Sequence, residues 1–290
     1  MLDNLNNKAK IIAHYNLNKP KVNNNIQYIS SYELSKNNFF IIKQFKPDCI
    51  IHLAAVGLKN SSQNKDKIYK INYEFTKELV KLSKFCKCKL FIFTSTSKIY
   101  EKSFRPLNEK SIIKKNIKKL HYENSKFLSE KYIKKYSENN KNCKYIVLRP
   151  FLFISRRDSR INIFGKILIK LNNLKKIKIE NPNCFIDVNT ASDLSKCIIK
   201  IIDKMSFKYI DNFFLLNVGS GKKPLKLINL INKIFAKNTL ITYDKEGYSY
   251  MNYPDNLALN KLLKNKWESS SNLIKEIKSY CYNFINEKKR

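Results

Sequence analysis

Short apolar runs rich in β-branched and aromatic residues alternate along this chain with longer stretches of helical period. That alternation constrains the fold more than any single motif, because it produces a parallel sheet covered by helices. The runs Lys10 to Ala13, Ile26 to Ile29, Cys49 to His52, Leu90 to Phe93 and Tyr145 to Arg149 read as strands. Between the third and fourth, Ile68, Ile71, Phe75, Leu79 and Leu82 recur at steps of three and four and line one helix face. A second helix is expected after Tyr122, with Phe127, Tyr132, Ile133 and Tyr136 pointing inward. Further helices are expected at Ala191 to Met205, Leu225 to Phe235 and Asn272 to Ile285, with a short strand at Phe213 to Asn217 between the first two. This divides the chain into a sheet domain over 1–155 and a smaller lobe over 156–290. The lobe packs against the C-terminal edge of the sheet, and some of its segments return to the first domain.

With 290 residues, 43% of them hydrophobic, the chain can bury a core of its own. The formal charge of +34, from 57 basic and 23 acidic residues, raises the question of a polyanionic partner. Lysines such as Lys114, Lys115, Lys118 and Lys119 are scattered among Asn and Ile, with no RNA-binding signature and no regular basic and aromatic interleaving. The charge is therefore read as a solvated surface without a nucleic-acid partner, a functional field toward polyanions or membrane surfaces being the alternative. Seven cysteines form no CxxC pair and no His/Cys cluster of metal-ligand spacing, so no metal is expected. There is no secretory segment, and no apolar run approaches the ~18 residues of a membrane span. A cytoplasmic protein with reduced thiols is the expectation.

The chemistry concentrates in Phe91-Ile-Phe-Thr-Ser-Thr-Ser-Lys-Ile-Tyr100 and Tyr122-Glu-Asn-Ser-Lys126. Residues four apart on a helix share a face, so the Lys126 ammonium can approach the Tyr122 phenol and favour phenolate. Tyr122 then becomes a usable acid or base near neutral pH. Thr96, at the end of the preceding strand, can hold the same substrate oxygen by hydrogen bond. Taken alone, YxxxK is weak in a chain so rich in lysine, and an ordinary amphipathic helix explains it equally well.

The order and spacing of several motifs add what the pair lacks. Asp48-Cys-Ile-Ile-His-Leu-Ala-Ala55, Ile71-Asn72, Phe93 to Tyr100, Tyr122 to Lys126 with Glu130 beyond it, Leu148-Arg-Pro150, Phe185-Ile-Asp-Val188 and Leu216-Asn-Val-Gly-Ser-Gly221 run in sequence. Together they resemble the extended short-chain dehydrogenase/reductase family, the NAD-dependent epimerases and dehydratases of sugar nucleotides such as UDP-glucose 4-epimerase, over about residues 2 to 285. The resemblance implies an α/β Rossmann-like doubly wound parallel sheet with a small C-terminal substrate lobe. It implies Tyr122 as acid/base, Lys126 as the group that holds the nicotinamide ribose and tunes Tyr122, and Thr96 as the residue orienting the reacting hydroxyl. Leu53, Ala54, Ala55, Asn72, Thr94 and Pro150 would line the cofactor site, and the cofactor would supply the hydride chemistry. A homodimer through the 68–82 and 122–136 helices is a further implication.

The departures are informative. The glycine-rich turn that brings backbone amides to a pyrophosphate is absent, the first glycine being Gly57. Leu2 to Asn6 looks like the tail of a first helix, so the first strand and most of that helix are expected to be missing. A truncated or misannotated start is the preferred explanation. Losing a central strand would expose backbone donors and acceptors along two neighbours and weaken dinucleotide binding. Ala13-His-Tyr-Asn16 lacks the acidic residue that selects the NAD ribose, leaving NAD or NADP open. His14 and His52 are read as structural and His121 as a solvent-facing neighbour of Tyr122. Leu152 and Asn183 stand where the family often has Asn and Arg, and nothing around Tyr253-Pro-Asp255 replaces a late arginine. Arg156, Arg157 and Arg160 could contact a diphosphate instead or form an exposed loop cluster. Ser97 and Lys98 occupy the positions of a dehydratase Asp-Glu pair, which disfavours water elimination.

The leading reading is an NAD(P)-dependent epimerase or ketoreductase acting on a nucleotide-linked sugar in polysaccharide biosynthesis. The alternative is a catalytically silent Rossmann-like regulatory or scaffold protein that has lost dinucleotide binding. A basic nucleic-acid-binding protein is a third reading, marked by affinity that collapses with added salt.

Overall fold

Strand β4 (Leu90–Thr94) shows why the apolar runs read so clearly, for all five of its residues are buried. Leu90 and Ile92 point to one face of the sheet, and Phe91 and Phe93 to the other. A strand covered on both sides has no solvated face on which to alternate. The protein is described here from a computed structural model, over residues 9–15, 26–30, 36–57, 64–155, 162–204, 211–236, 238–244 and 249–288.

In chain order, β1 (Ile11–Tyr15) and β2 (Ile26–Ser30) lead to α1 (Lys36–Phe45) and β3 (Cys49–His52). Next come α2 (Lys65–Tyr69), a π-helical turn at Lys70–Glu74, α3 (Phe75–Phe85) and β4. After α4 (His121–Glu138) and β5 (Lys144–Pro150), the chain makes β6 (Phe153–Ile154), α5 (Ile163–Asn172), β7 (Ile177–Ile179), β8 (Phe185–Ile186) and β9 (Asn189–Thr190). The remainder is α6 (Ala191–Lys204), β10 (Phe213–Val218), β11 (Leu225–Lys226), α7 (Leu227–Phe235), β12 (Ile241–Tyr243), β13 (Met251–Asn252), α8 (Leu257–Leu263) and α9 (Leu273–Lys288).

The main sheet has the order β10-β5-β4-β3, parallel throughout. On one face Leu79, Val80 and Leu82 of α3 and Ile133 of α4 pack on Phe91, Phe93, Tyr145 and Val147. On the other, Leu194, Cys197, Ile198 and Ile201 of α6, with Leu259, Leu262 and Leu263 of α8, cover Leu90, Ile92, Ile146 and Leu148. This is the α/β architecture expected, with β10 returning from late in the chain to complete the sheet. A third core joins α5, α7 and α9 around Phe164, Ile167, Leu230, Ile231, Ile277 and Tyr280. Short pairings, β11-β8-β13 and β12-β7, accompany it.

Within the four-stranded sheet β3 is hydrogen-bonded on one side only, to β4, while β1 and β2 form a separate parallel pair. Among the described residues no strand bridges the two, and Cys49, Ile50 and Ile51 are only half-buried. Among the described residues β3 therefore stands at the edge of this sheet.

Three helices escaped the sequence reading, each for a local reason. In α1 the apolar residues Phe39 to Ile42 are consecutive, and α5 is apolar nearly all round, so neither shows a period. α8 is too short for one. The helix expected from Leu225 begins at Leu227, because Leu225 and Lys226 are drawn into antiparallel pairing with β8. In α4 only Ile133 of the four expected inward residues is fully buried. Phe127, Tyr132 and Tyr136 are partly covered, and Tyr132 stacks on Tyr136 with ring centroids 6.0 Å apart. No helix among the described residues is long and apolar enough to cross a membrane.

Candidate active site

The carboxyl ends of β3, β4 and β5 lie side by side, which is where parallel sheets collect ligands. Their registers align His52 with Phe93 and Thr94 with Leu148. Thr94, buried, donates through its hydroxyl to the His52 carbonyl at 3.2 Å, and Ser95 N donates to the Leu148 carbonyl at 2.7 Å. Past that point the chain turns. Thr96, in extended conformation, caps a short 3-10 turn at Ser97–Ile99 by accepting from Lys98 N at 3.2 Å. Pro150 ends β5 and is buried.

Beyond β3, Leu53, Ala54 and Ala55 are exposed and of modest size. The next residues are pinned to the helices by Asn72, whose amide accepts from Val56 N and donates to the Val56 carbonyl, both at 2.9 Å, and to Ser125 Oγ at 3.0 Å. Asn72 can do this because it sits in the π-helical turn. The Asn72 carbonyl accepts from Thr76 Oγ1 at 2.7 Å and from Ser129 Oγ at 2.8 Å. Gly57 follows with φ +103°, and a Cβ there would lie 3.1 Å from Ile68 and 3.4 Å from the Cβ of Tyr122. Only glycine lets the backbone pass so close to the helix at this angle.

Helix α4 brings Tyr122, Ser125, Lys126, Ser129 and Glu130 to its buried face. Hydrophobic period misses this stripe, since its members are polar. The spacing of serine and charge at 122, 125, 126, 129 and 130 was the available signal. Tyr122 is 9% exposed and Lys126 1%. The Lys126 Nζ lies 4.2 Å from the centroid of the Phe93 ring and has no hydrogen-bond partner among the described residues. Burial pulls its pKa down to about 7, against the opposing attraction of Glu130.

That shift has a sign. The unfolded chain keeps the proton up to the ordinary lysine range near 10.5, whereas the folded one releases it near 7. Stability conferred on the fold by removing this group is greatest below pH 7 and fades as pH rises toward the unfolded value. Lys126→Met is therefore expected to stabilise the protein more at about pH 6 than at about pH 10. Denaturant curves of parent and variant at both pH values check it, and an equal gain at the two would contradict it.

The site residues read from the sequence fall as follows. Thr96, Tyr122 and Lys126 stand on elements packed together, α4 lying against the 3-10 turn. Arg156 and Arg157, with Arg160, lie outside the described residues. His52 is a core histidine, 3% exposed, with Nε2 3.0 Å from Thr76 Oγ1. The side chain of His14 lies outside the described residues. His121 departs from the solvent-facing expectation: it is half-buried, its Nδ1 is shut from solvent with no hydrogen-bond partner among the described residues, and its ring meets Tyr69 edge-on at 6.2 Å. The turn after β10 is held by Trp267, whose indole donates to the Gly219 carbonyl at 2.9 Å, and by Ser220 N, which donates to Asp187 at 2.7 Å. Burial raises the Asp187 pKa from the usual carboxylate range.

A sequence model described as the NAD dependent epimerase/dehydratase family matches residues 3–208. Among curated proteins no relative matches the sequence. Solved structures do match in fold. UDP-glucose 4-epimerase from Thermotoga maritima, with UDP-glucose, superposes with TM-score 0.74 at 20% identity, over 100% of this chain and 95% of that one. UDP-N-acetylglucosamine 4-epimerase from Methanobrevibacter ruminantium M1, in complex with UDP-N-acetylmuramic acid, gives 0.74 at 20% identity, over 99% and 94%. MoeE5 in complex with UDP-glucose and NAD gives 0.74 at 14% identity, over 99% and 94%.

Proposed function

Because the chain belongs to the NAD dependent epimerase/dehydratase family, we propose that it is an NAD(P)-dependent enzyme that oxidises and re-reduces a carbon of a nucleotide-linked sugar, a UDP-sugar 4-epimerase being the form its structural neighbours favour. The observation that carries this reading is the Lys126 ammonium, buried and without a hydrogen-bond partner among the described residues, one helical turn from Tyr122 and beside the Thr96 turn. An ammonium shut from water in this way needs acceptors, and ribose hydroxyls supply them.

The nicotinamide ribose end of a dinucleotide therefore fits these residues, with Lys126 holding the ribose and the small side chains of Ala54 and Ala55 leaving room for close approach. The diphosphate end does not find its usual cradle here, since no glycine precedes Gly57 in this sequence. When bound, the cofactor would supply the acceptor and donor of hydride for the sugar carbon. Tyr122 takes the proton of the reacting hydroxyl as base and returns it as acid. Lys126 favours the phenolate, and Thr96 aligns the sugar oxygen by hydrogen bond. Ser97 and Lys98, in place of an acidic pair, leave no group to eliminate water from the neighbouring carbon.

Incubating the protein with UDP-glucose, UDP-N-acetylglucosamine and UDP-glucuronic acid, each with NAD or NADP, tests the reading. The expected result is interconversion of a 4-epimer pair, together with saturable dinucleotide binding by calorimetry. No turnover and no dinucleotide binding would favour the catalytically silent alternative.

A further inference from the structure

Behind the Tyr122 and Lys126 face of α4 lies a buried polar knot. Arg149, on β5, donates through Nε to Glu130 Oε1 at 3.0 Å and through Nη2 to Oε2 at 2.6 Å. The two side chains are 4% and 5% exposed. Arg149 Nη1 also donates to the Tyr100 hydroxyl at 2.7 Å and to the Glu109 carbonyl at 3.2 Å. Tyr100 in turn donates to Asn217 Oδ1 at 2.7 Å, and Asn217 N donates to Glu109 Oε1 at 2.6 Å. Glu130 stands four residues after Lys126, the spacing at which a carboxylate and an ammonium ordinarily pair on a helix. Here they do not. The carboxylate is held by the guanidinium, and the ammonium rests over Phe93.

We propose that Arg149 is a positioning residue for the Tyr122 and Lys126 pair: by occupying both oxygens of Glu130 it keeps that carboxylate off the Lys126 ammonium, and through Tyr100 it ties the turn bearing Thr96 to helix α4. This deepens the reading of that site given above and rests on it for its catalytic meaning. The planar fork of arginine suits the task, since it satisfies both carboxylate oxygens at once and leaves a donor for the Tyr100 hydroxyl. A lysine ammonium paired with Glu130 would instead be spent, and unavailable to ribose hydroxyls.

The charged and titratable groups the structure sets around Lys126 are few. Helix α4 contributes Tyr122 and Glu130, β5 contributes Arg149, and the segment after β4 contributes Tyr100 and Glu109. β4 presents Phe93, behind which His52 of β3 packs at 5.6 Å. Among the described residues Glu130 raises the proton affinity of Lys126, and burial outweighs it. Losing Arg149 frees Glu130 to close on Lys126.

The test uses the cofactor-free protein and a 13C NMR titration of the lysine Cε signals, Lys126 being assigned by its loss in Lys126→Arg. Arg149→Met is expected to raise the Lys126 midpoint by at least about one pH unit, a tenfold gain in proton affinity. Glu130→Gln keeps one acceptor for Arg149 but removes the negative charge, and is expected to lower the midpoint. If Arg149→Met fails to fold, Arg149→Lys, which keeps the positive charge but cannot grip both Glu130 oxygens, decides in its place, and a raised midpoint is again expected. A Lys126 midpoint left unmoved or lowered when Arg149 is replaced would overturn the proposal. Because the readout needs neither substrate nor turnover, its outcome stands apart from whether the epimerase assay succeeds.

Discussion

Tyr122→Phe is expected to cut turnover by about 10²–10⁴-fold, the usual worth of a positioned acid/base. The change deletes one hydroxyl from a side chain that is 9% exposed and leaves the ring, and the Cβ that lies beside Gly57, in place. Folding should survive. The loss should fall on kcat more than on KM, because the proton moves in the transition state, while binding of the nucleotide sugar draws on contacts elsewhere. Steady-state kinetics beside a circular dichroism melt separate the cases. A variant that turns over like its parent would remove Tyr122 from the chemistry, and one that fails to fold would make it a packing residue.

The second large effect concerns stability. Glu130→Ala should cost roughly 3–5 kcal/mol, because it strands the Arg149 guanidinium in the interior with a tyrosine hydroxyl and a backbone carbonyl as its remaining acceptors. Burial opposes the arginine's charge, and its hydrogen bonds and proximity to Glu130 hold its pKa above the ordinary range. Removing the carboxylate withdraws the larger part of that compensation. Removing both charges together should cost much less, since no lone charge is left inside. A double-mutant cycle of Glu130→Ala and Arg149→Met by urea denaturation measures the coupling. Additive losses would show that the pair is not energetically linked.

How much of this was legible beforehand follows from what each residue answers to. Strand β4 and the Tyr145 to Leu148 part of β5 were visible because they are buried on both faces and apolar. The 68–82 helix was visible because one of its faces meets the sheet. The polar stripe of α4 was invisible to the same test, since Ser125 and Ser129 are buried by hydrogen bonds with Asn72, Glu130 by its pairing with Arg149 and Lys126 over the Phe93 ring, not as members of a hydrophobic face. The π-helical turn was also hidden, because Asn72 leaves no periodic trace; its meaning lies in the Val56 backbone it grips.

The sequence by itself determined the parallel α/β layering, the family, and the three residue types at Thr96, Tyr122 and Lys126, because local period and motif order depend on neighbours in the chain. Only the tertiary structure decided that Glu130 pairs with Arg149 and not with Lys126, and that the Lys126 ammonium is buried. Those facts depend on which distant segments close around a charge, and a buried charge takes the partner whose geometry best repays its lost water.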